Sequence, residues 1–481
     1  MEEAPLEKKK TPSISACWTG MQDELELLDM RIGLAMPGFG LKTITALLPY
    51  TRDPPRWAKA TFATLVLGAH LAVISVLRTN TWQSWVPVLG LAMLAGGCVL
   101  GSTHRSAISV GTVSTGFALQ FWFGVLVTRT DAGSWALSYV SCLMTTLLKY
   151  AGLGAAFVFG DDLLAFFAFS VVFKYGGAAL ANFLAVSEVE GIVTVANVFL
   201  SMTEAPLLLT PLLPGLSRSQ LFVVMTGGFA SVAGSTLGAY ISFGADPSQL
   251  LSASIMSAPA ALAVAKMLVP ETGSAKDAAD EAAADAARTE AAQLARRQRV
   301  HARLAAKRQG RPTGSPPRDS YTFSGLRWWF AMIGVEGVTF ELFLGYVFTP
   351  LAYMMGVDAS ECLTVGKLIG VKIVQNEFVG YFQLGELIAA GGLSERAQTI
   401  ATYALCGFGN LGSMGIMVGC LSGMVPRIRT AVTRDVFRAL LAGNIACFST
   451  ACVASAILAD AGSEAPSQYE CPCFKSECPA P

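Results

Sequence analysis

Charge is what this chain has least of. Only 14% of its 481 residues are Asp, Glu, Lys or Arg, against about 25% in a soluble globular domain, while 53% are hydrophobic and the mean hydropathy is +0.51. Such a chain cannot cover a water-facing surface with ionised side chains, which excludes an ordinary soluble fold. The 34 basic residues are balanced by 34 acidic ones. That balance removes the overall positive field a nucleic-acid partner would require. Histidine is scarcer still. His70, His104 and His301 are the full set, far apart and without ligand spacing, so the sequence lacks the donor pattern of a hydrolytic zinc site. The Lys8–Lys10 cluster is not followed by an apolar core, so no cleavable signal is expected and residues 1–56 read as a cytoplasmic tail.

What is abundant is apolar length. Runs at 60–77, 85–101, 108–127 and 436–459 approach or exceed what is needed to cross about 30 Å of hydrocarbon. Others are studded with Gly, Ser and Pro, and roughly eight to eleven membrane segments are expected in all. The fold class is therefore an all-α integral membrane protein. Most of the eleven cysteines lie in apolar segments, as small buried hydrophobes. Cys471, Cys473 and Cys478 instead crowd the tail at 460–481, where a metal site would need a fourth ligand.

Residues 270–323 interrupt the apolar pattern with an Ala-rich stretch that starts acidic and turns basic. The Arg/Lys excess beside membrane segments places this loop on the cytoplasmic side. It divides the chain into halves that look alike. GIVTVANVFLSMTEAPLLL (191–209) and GGFASVAGSTLGAYISFG (227–244) precede it; LIGVKIVQNEFVGYFQLGELI (368–388) and CGFGNLGSMGIMVGCLSG (406–423) follow it. Each pair is an apolar segment interrupted around one glutamate, then a small-residue segment that opens Gly-Phe. Paired broken segments of this kind mark a transporter built from internal repeats, with its site near the membrane midplane.

Glu204 sits in SMTEAPLLLTPLL, ahead of Pro206 and Pro211. A carboxylate at the bilayer centre costs about 2.5–3.5 kcal/mol on insertion scales, so it needs a purpose or a partner. The prolines rule out an ordinary lipid-facing helix after it, and a re-entrant or unwound piece is expected. Glu204 then reads either a ligand's donors or pairs with an arginine. Asn197, Ser201 and Glu204, at spacings of four and three, would share one stripe if helical, as would Asn410 and Ser413. Asn197, the Ser231 hydroxyl and freed carbonyls are hard oxygen donors that suit Na⁺.

These stretches resemble the concentrative nucleoside transporter family. The resemblance is carried by TEAPLLL at 203–209, VMTGGFASVAGSTLGAYISFG at 224–244, SASIMSAPAALAVAKMLVPE at 252–271, FELFLGYVFTPLAYMMGV at 340–357, VQNEFVGYFQL at 374–384 and IATYALCGFGNLGSMGIMVG at 400–419. It covers roughly residues 107–460. It implies a secondary active symporter that imports nucleosides on a sodium gradient, or on protons in some members, with no cofactor beyond the coupling ion. It also implies a homotrimer with a scaffold domain, a mobile transport domain and two helical hairpins, residing in the plasma membrane. By the same resemblance Ser201, Met202, Thr203 and Glu204 meet the base, and Ser235 and Thr236 set base preference. Glu377, Asn410 and Ser413 hold the ribose beside Phe378. Asn197, Ser231 and the carbonyls of Leu200 and Val232 form the sodium site.

Three departures stand out. Ser201-Met202 replaces the Gly-Gln common before Thr-Glu, removing one amide. The family's further apolar helix between 172 and Glu190 has no counterpart, and the charged loop occupies the place of another. The expected division is 57–190 as N-terminal membrane helices, 191–269 and 324–459 as the two repeats, and 270–323 as loop. Two readings of other classes remain, a nucleoside-permeable channel and an intramembrane enzyme using Glu204 and Glu377 as acid and base.

Overall fold

The computed structural model describes residues 85–154, 176–272 and 339–457, all within the compact unit Pro55–Pro481. The N-terminal tail, the run at 60–77, nearly all of the charged loop and the cysteine tail lie outside the described residues. So does 155–175; beyond it, 176–184 is helical.

The described elements are helices. In chain order they are α1 (Val86–Leu100), α2 (Val110–Arg129), α3 (Asp131–Gly154), α4 (Glu188–Ala196), α5 (Glu204–Leu208), α6 (Arg218–Ala230), α7 (Gly234–Ser242) and α8 (Pro247–Leu268). After the loop come α9 (Phe340–Met354), α10 (Cys362–Val374), α11 (Glu377–Ala389), α12 (Glu395–Leu405), α13 (Leu411–Met424) and α14 (Arg429–Ile457). No strand occurs among the described residues.

Three stretches are long and apolar enough to span a membrane by length and composition: Val110–Arg129, Pro247–Leu268 and Pro426–Ile457. The other apolar segments are shortened by breaks. The order helix, break, glutamate-led helix, helix, break, helix, long helix occurs twice, as α4 to α8 and as α10 to α14. This is the repeat expected from the paired motifs.

The long helices are buried by contact with the rest of the chain. In α8 and α14 nearly nine-tenths of the apolar window is covered by protein, against a third in α2. Because lipid is as apolar as leucine, small residues and polar contacts must hold these helices together. Gln120 of α2 donates to Ser449 Oγ at 3.2 Å and Thr450 Oγ1 at 2.9 Å on α14. Arg218, at the start of α6, forks onto Asp435 of α14 at 2.7 and 2.8 Å.

Candidate functional site

The first break begins where α4 stops. A reciprocal cap between Ser187 and Glu190 starts α4, which ends at Ala196 with Asn197 as its C-cap. The seven residues 197–203 are not helical. The stripe expected through Asn197, Ser201 and Glu204 therefore does not form. Local polar bonds take its place. Ser201 N–H donates to Glu204 Oε2 at 3.0 Å, Glu204 N–H donates to Ser201 Oγ at 3.3 Å, and the Ser201 and Thr203 hydroxyls meet at 3.0 Å. This is the cap chemistry of Ser-x-x-Glu, and it starts a new helix at Glu204 instead of continuing the old one. Non-helical backbone lies on both sides of α5: residues 197–203 precede it, and after five residues the chain leaves the α-helix again until Arg218, as the prolines suggested. Pro206 is the third residue of α5, inside the first turn, where no amide hydrogen is needed.

Asn197 is 2% exposed, and neither its Oδ1 nor its Nδ2 has a hydrogen-bond partner. Gly227 of α6 faces it, and a Cβ there would run into the Asn197 amide. Ser231, the C-cap of α6, is buried, with its hydroxyl 3.4 Å from Gly228 O. The carbonyls of Phe199 and Ser231 are taken by the amides of Gly234 and Phe408, at 3.0 and 3.1 Å. Leu200 and Val232 are the next residues along these two breaks, and Val232 is fully buried. An unpartnered buried amide beside two unwound segments is a polar vacancy that a small cation with oxygen preference fits.

The second break is built from caps. Asn376 Oδ1 accepts Val379 N–H at 2.9 Å and opens α11, whose first residue is Glu377. α12 ends at Leu405, and Gly407 follows with φ +128°, where a Cβ would meet Phe229 O at 2.8 Å. Only glycine lets the two breaks pass this closely. Asn410 then caps α13. Its Oδ1 accepts Ser413 N–H at 2.8 Å, and its Nδ2 donates to Glu377 Oε2 at 2.8 Å. Asn410 and Ser413 are joined as cap and first turn, not as a helical stripe. Tyr240 of α7 reaches Glu377 Oε1 at 3.5 Å, stacks on Tyr381 with centroids 4.4 Å apart, and meets Phe378 edge-on at 5.1 Å. Glu377 is 3% exposed. Its carboxylate lies in the first turn of α11 and on the cap of α13, where helix N-termini favour negative charge.

Among the described residues no hydrogen bond or ion pair joins Glu204 to Glu377. Glu204 is exposed. The Glu204 loop instead touches α13 farther along, with Cys420 Sγ 3.9 Å from Thr203 O. Cys420 lies ten residues beyond Asn410, about 15 Å along a helix. Met202 is 5% exposed and packs where a Gly228 side chain would stand. Thr236 bonds Ala233 O at 2.8 Å, and Ser235 lies beside it in α7, its side chain outside the described residues.

Sequence reasoning missed Tyr240 and the buried lysines. Lys266, the single charge in the apolar run 252–270, ion-pairs with Glu190 and donates to Ser219 Oγ at 3.0 Å and Glu271 Oε2 at 3.1 Å. Burial pulls the Glu271 carboxyl upward, but the Lys266 ammonium together with hydrogen bonds from Ser217 and Ser219 outweighs it and holds the group below the ordinary carboxylate range. Lys266, Glu190 and Glu271 line a cavity of about 360 Å³ with Ser109 and Gln220, separate from both breaks. The detectable signal was a lone lysine in a long apolar run.

The family described as "Na+ dependent nucleoside transporter C-terminus" matches residues 323–455, and its N-terminus counterpart matches residues 89–162. "Solute carrier family 28 member 3" of Mus musculus is 38% identical over 444 residues, covering 81% of this chain and 62% of that protein. "Sodium/nucleoside cotransporter 1" of Oryctolagus cuniculus is 33% identical over 465 residues, covering 88% and 71%. The chain thus spans somewhat less than two thirds of the first of these relatives. A solved structure of CNTnw in an inward-facing substrate-bound state is 31% identical with a TM-score of 0.63, covering 78% of this chain and 98% of that one. A variant of CNTnw in an outward-facing state matches with a TM-score of 0.63 at 30% identity, over 78% and 98%. With broken helices in both halves, a buried Glu377 cradle and relatives that match across most of its length, the chain belongs to the sodium-dependent nucleoside transporter family.

Proposed function

We propose that this chain is a secondary active symporter that imports nucleosides on a sodium gradient, by alternating access of a transport domain in the plasma membrane. The observation that carries the reading is the pairing of Glu377 with Asn410 across two helix breaks. It provides a buried, preorganised acceptor and donor beside the exposed face of Phe378. Ribose offers vicinal hydroxyls that such a pair grips, with Ser413 adjacent and Phe378 supplying an apolar wall.

Asn197, Ser231 and the carbonyls of Leu200 and Val232 take the coupling Na⁺. The unpartnered Asn197 amide supports this assignment, because binding an ion would supply the partner it lacks. Ser201, Met202, Thr203 and Glu204 take the base, with Ser235 and Thr236 tuning its choice. This requires the Glu204 loop to approach the Glu377 cradle in another state of the cycle. That relatives have been solved facing inward and outward supports such motion. Residues 191–269 and 324–459 then form the moving domain and 57–190 the scaffold, assembled as a homotrimer. Family membership among transporters sets aside the intramembrane enzyme.

The test is uptake of labelled uridine and adenosine into proteoliposomes holding the full chain, in Na⁺ and in choline, at two pH values. The expected result is accumulation above the external concentration, dependent on external Na⁺. Uptake that only equilibrates would make the protein a channel, and accumulation in choline driven by a pH gradient would transfer the coupling to protons.

A further inference from the structure

Lys372 belongs to none of the groups above. It lies on α10, two residues before that helix ends, and is 0% exposed. Its ammonium donates to Ala404 O in the last turn of α12 at 3.1 Å and sits 5.5 Å from the centre of the Phe448 ring of α14. A buried ammonium needs such compensation: a helix C-terminus carries partial negative charge, and an aromatic face attracts cations. The same short stretch of chain carries a buried acid as well. Five residues after Lys372 comes Glu377, bonded to Asn410; the other end of the break that opens at Asn410 is the turn Lys372 holds. Two rungs, Lys372 to Ala404 and Asn410 to Glu377, therefore lock the two breaks in register.

The end of the broken helix in the first half is held differently. Asn197, at the end of α4, faces Gly227 in the last turn of α6. There the side chain is neutral and unpartnered.

We propose that the Lys372 ammonium is a fixed, chain-borne cation that braces the last turn of α12 and thereby positions Asn410 and Glu377 for the nucleoside. Lys372 is on this account a positioning residue, and the proposal rests on the transport reading above. It follows that nucleoside affinity depends on Lys372 while sodium affinity does not.

The experiment measures equilibrium binding of tritiated uridine and of ²²Na⁺ to the purified full chain. The proteins are wild type, Lys372→Met, Glu377→Gln and the double variant. Lys372→Met is expected to weaken uridine binding by about tenfold or more, while its ²²Na⁺ affinity stays within about threefold of wild type. The double variant is expected to bind uridine within about threefold of Glu377→Gln alone, because the brace acts through Glu377. Losses that multiply, an unchanged uridine affinity in Lys372→Met, or sodium affinity that falls together with uridine affinity would each overturn the proposal. Should Lys372→Met not be recovered as a monodisperse protein, Lys372→Gln carries the same comparison. A wild type that binds neither uridine nor adenosine refutes the transport reading itself, which is a different outcome from a failed cycle; where adenosine alone binds, it replaces uridine in every arm.

Discussion

Glu377 is 3% exposed and bonded by side chains from α7 and α13, whereas Glu204, at the matching place in the first half, is exposed and bonded to groups three residues upstream. The two repeats share an order of elements but differ in how far their glutamates are committed. Glu377 is held by long-range contacts made before any ligand arrives, so little is lost in ordering when one binds. Glu204 is held by local bonds that would travel with its loop. A rigid cradle facing a movable tip is the division of labour expected of a carrier whose site is completed by motion.

The largest effect that would break this comparison is at the cradle. Glu377→Gln removes the charge from a buried hydrogen-bonded acceptor, worth about 1.5–3 kcal/mol. Nucleoside affinity is expected to fall by roughly tenfold to a hundredfold, read from the concentration dependence of uptake or from direct binding. If it holds within about threefold, the rigid half is not where the ligand is gripped.

Next comes Asn197→Ala, which separates a structural amide from an ion ligand. Its amide has no partner to lose. The melting temperature in sodium-free buffer is therefore expected to stay level or rise, while the Na⁺ concentration for half-maximal uptake climbs by about tenfold. A fall in sodium-free stability would reassign Asn197 to the fold.

A smaller change is expected from Glu204→Gln. Gln retains the side-chain oxygen that accepts the Ser201 amide, so the cap is weakened rather than removed, by about 1 kcal/mol or less, and uptake declines by roughly fivefold at most. A loss as large as that of Glu377→Gln would show that both halves are equally committed in the bound state. Smallest is Met202→Gln, for which total uptake is expected to remain within about threefold while the ratio of purine to pyrimidine uptake shifts. A ratio that does not move would mean that packing against Gly228 is the whole role of Met202.

Much of this was legible from residue order. The interruptions around TEAP and NEF, the Gly-Phe openings and the repeat they define all appear in the structure as breaks. The reason is that prolines, glycines and capping residues act within a few positions of themselves. The exact side of each interruption was less legible. Pro206 and Pro211 signalled the break after the short α5, but the break at 197–203 before Glu204 carried no such signal. The Asn410–Ser413 pair was correctly grouped for the wrong geometry, because a spacing of three suits an N-cap and its third residue as well as a helix face.

Composition and pattern alone determined that this is a helical membrane protein of two similar halves, since lipid tolerates only backbone that satisfies its own hydrogen bonds and the deficit of charge admits no other solvent. Tertiary structure alone decided which glutamate is buried, that Asn197 lacks a partner, and that Lys372 ends on the last turn of α12. Those outcomes depend on contacts between residues tens to more than a hundred positions apart, such as Tyr240 with Glu377, and a pattern that acts over a few residues carries no record of them.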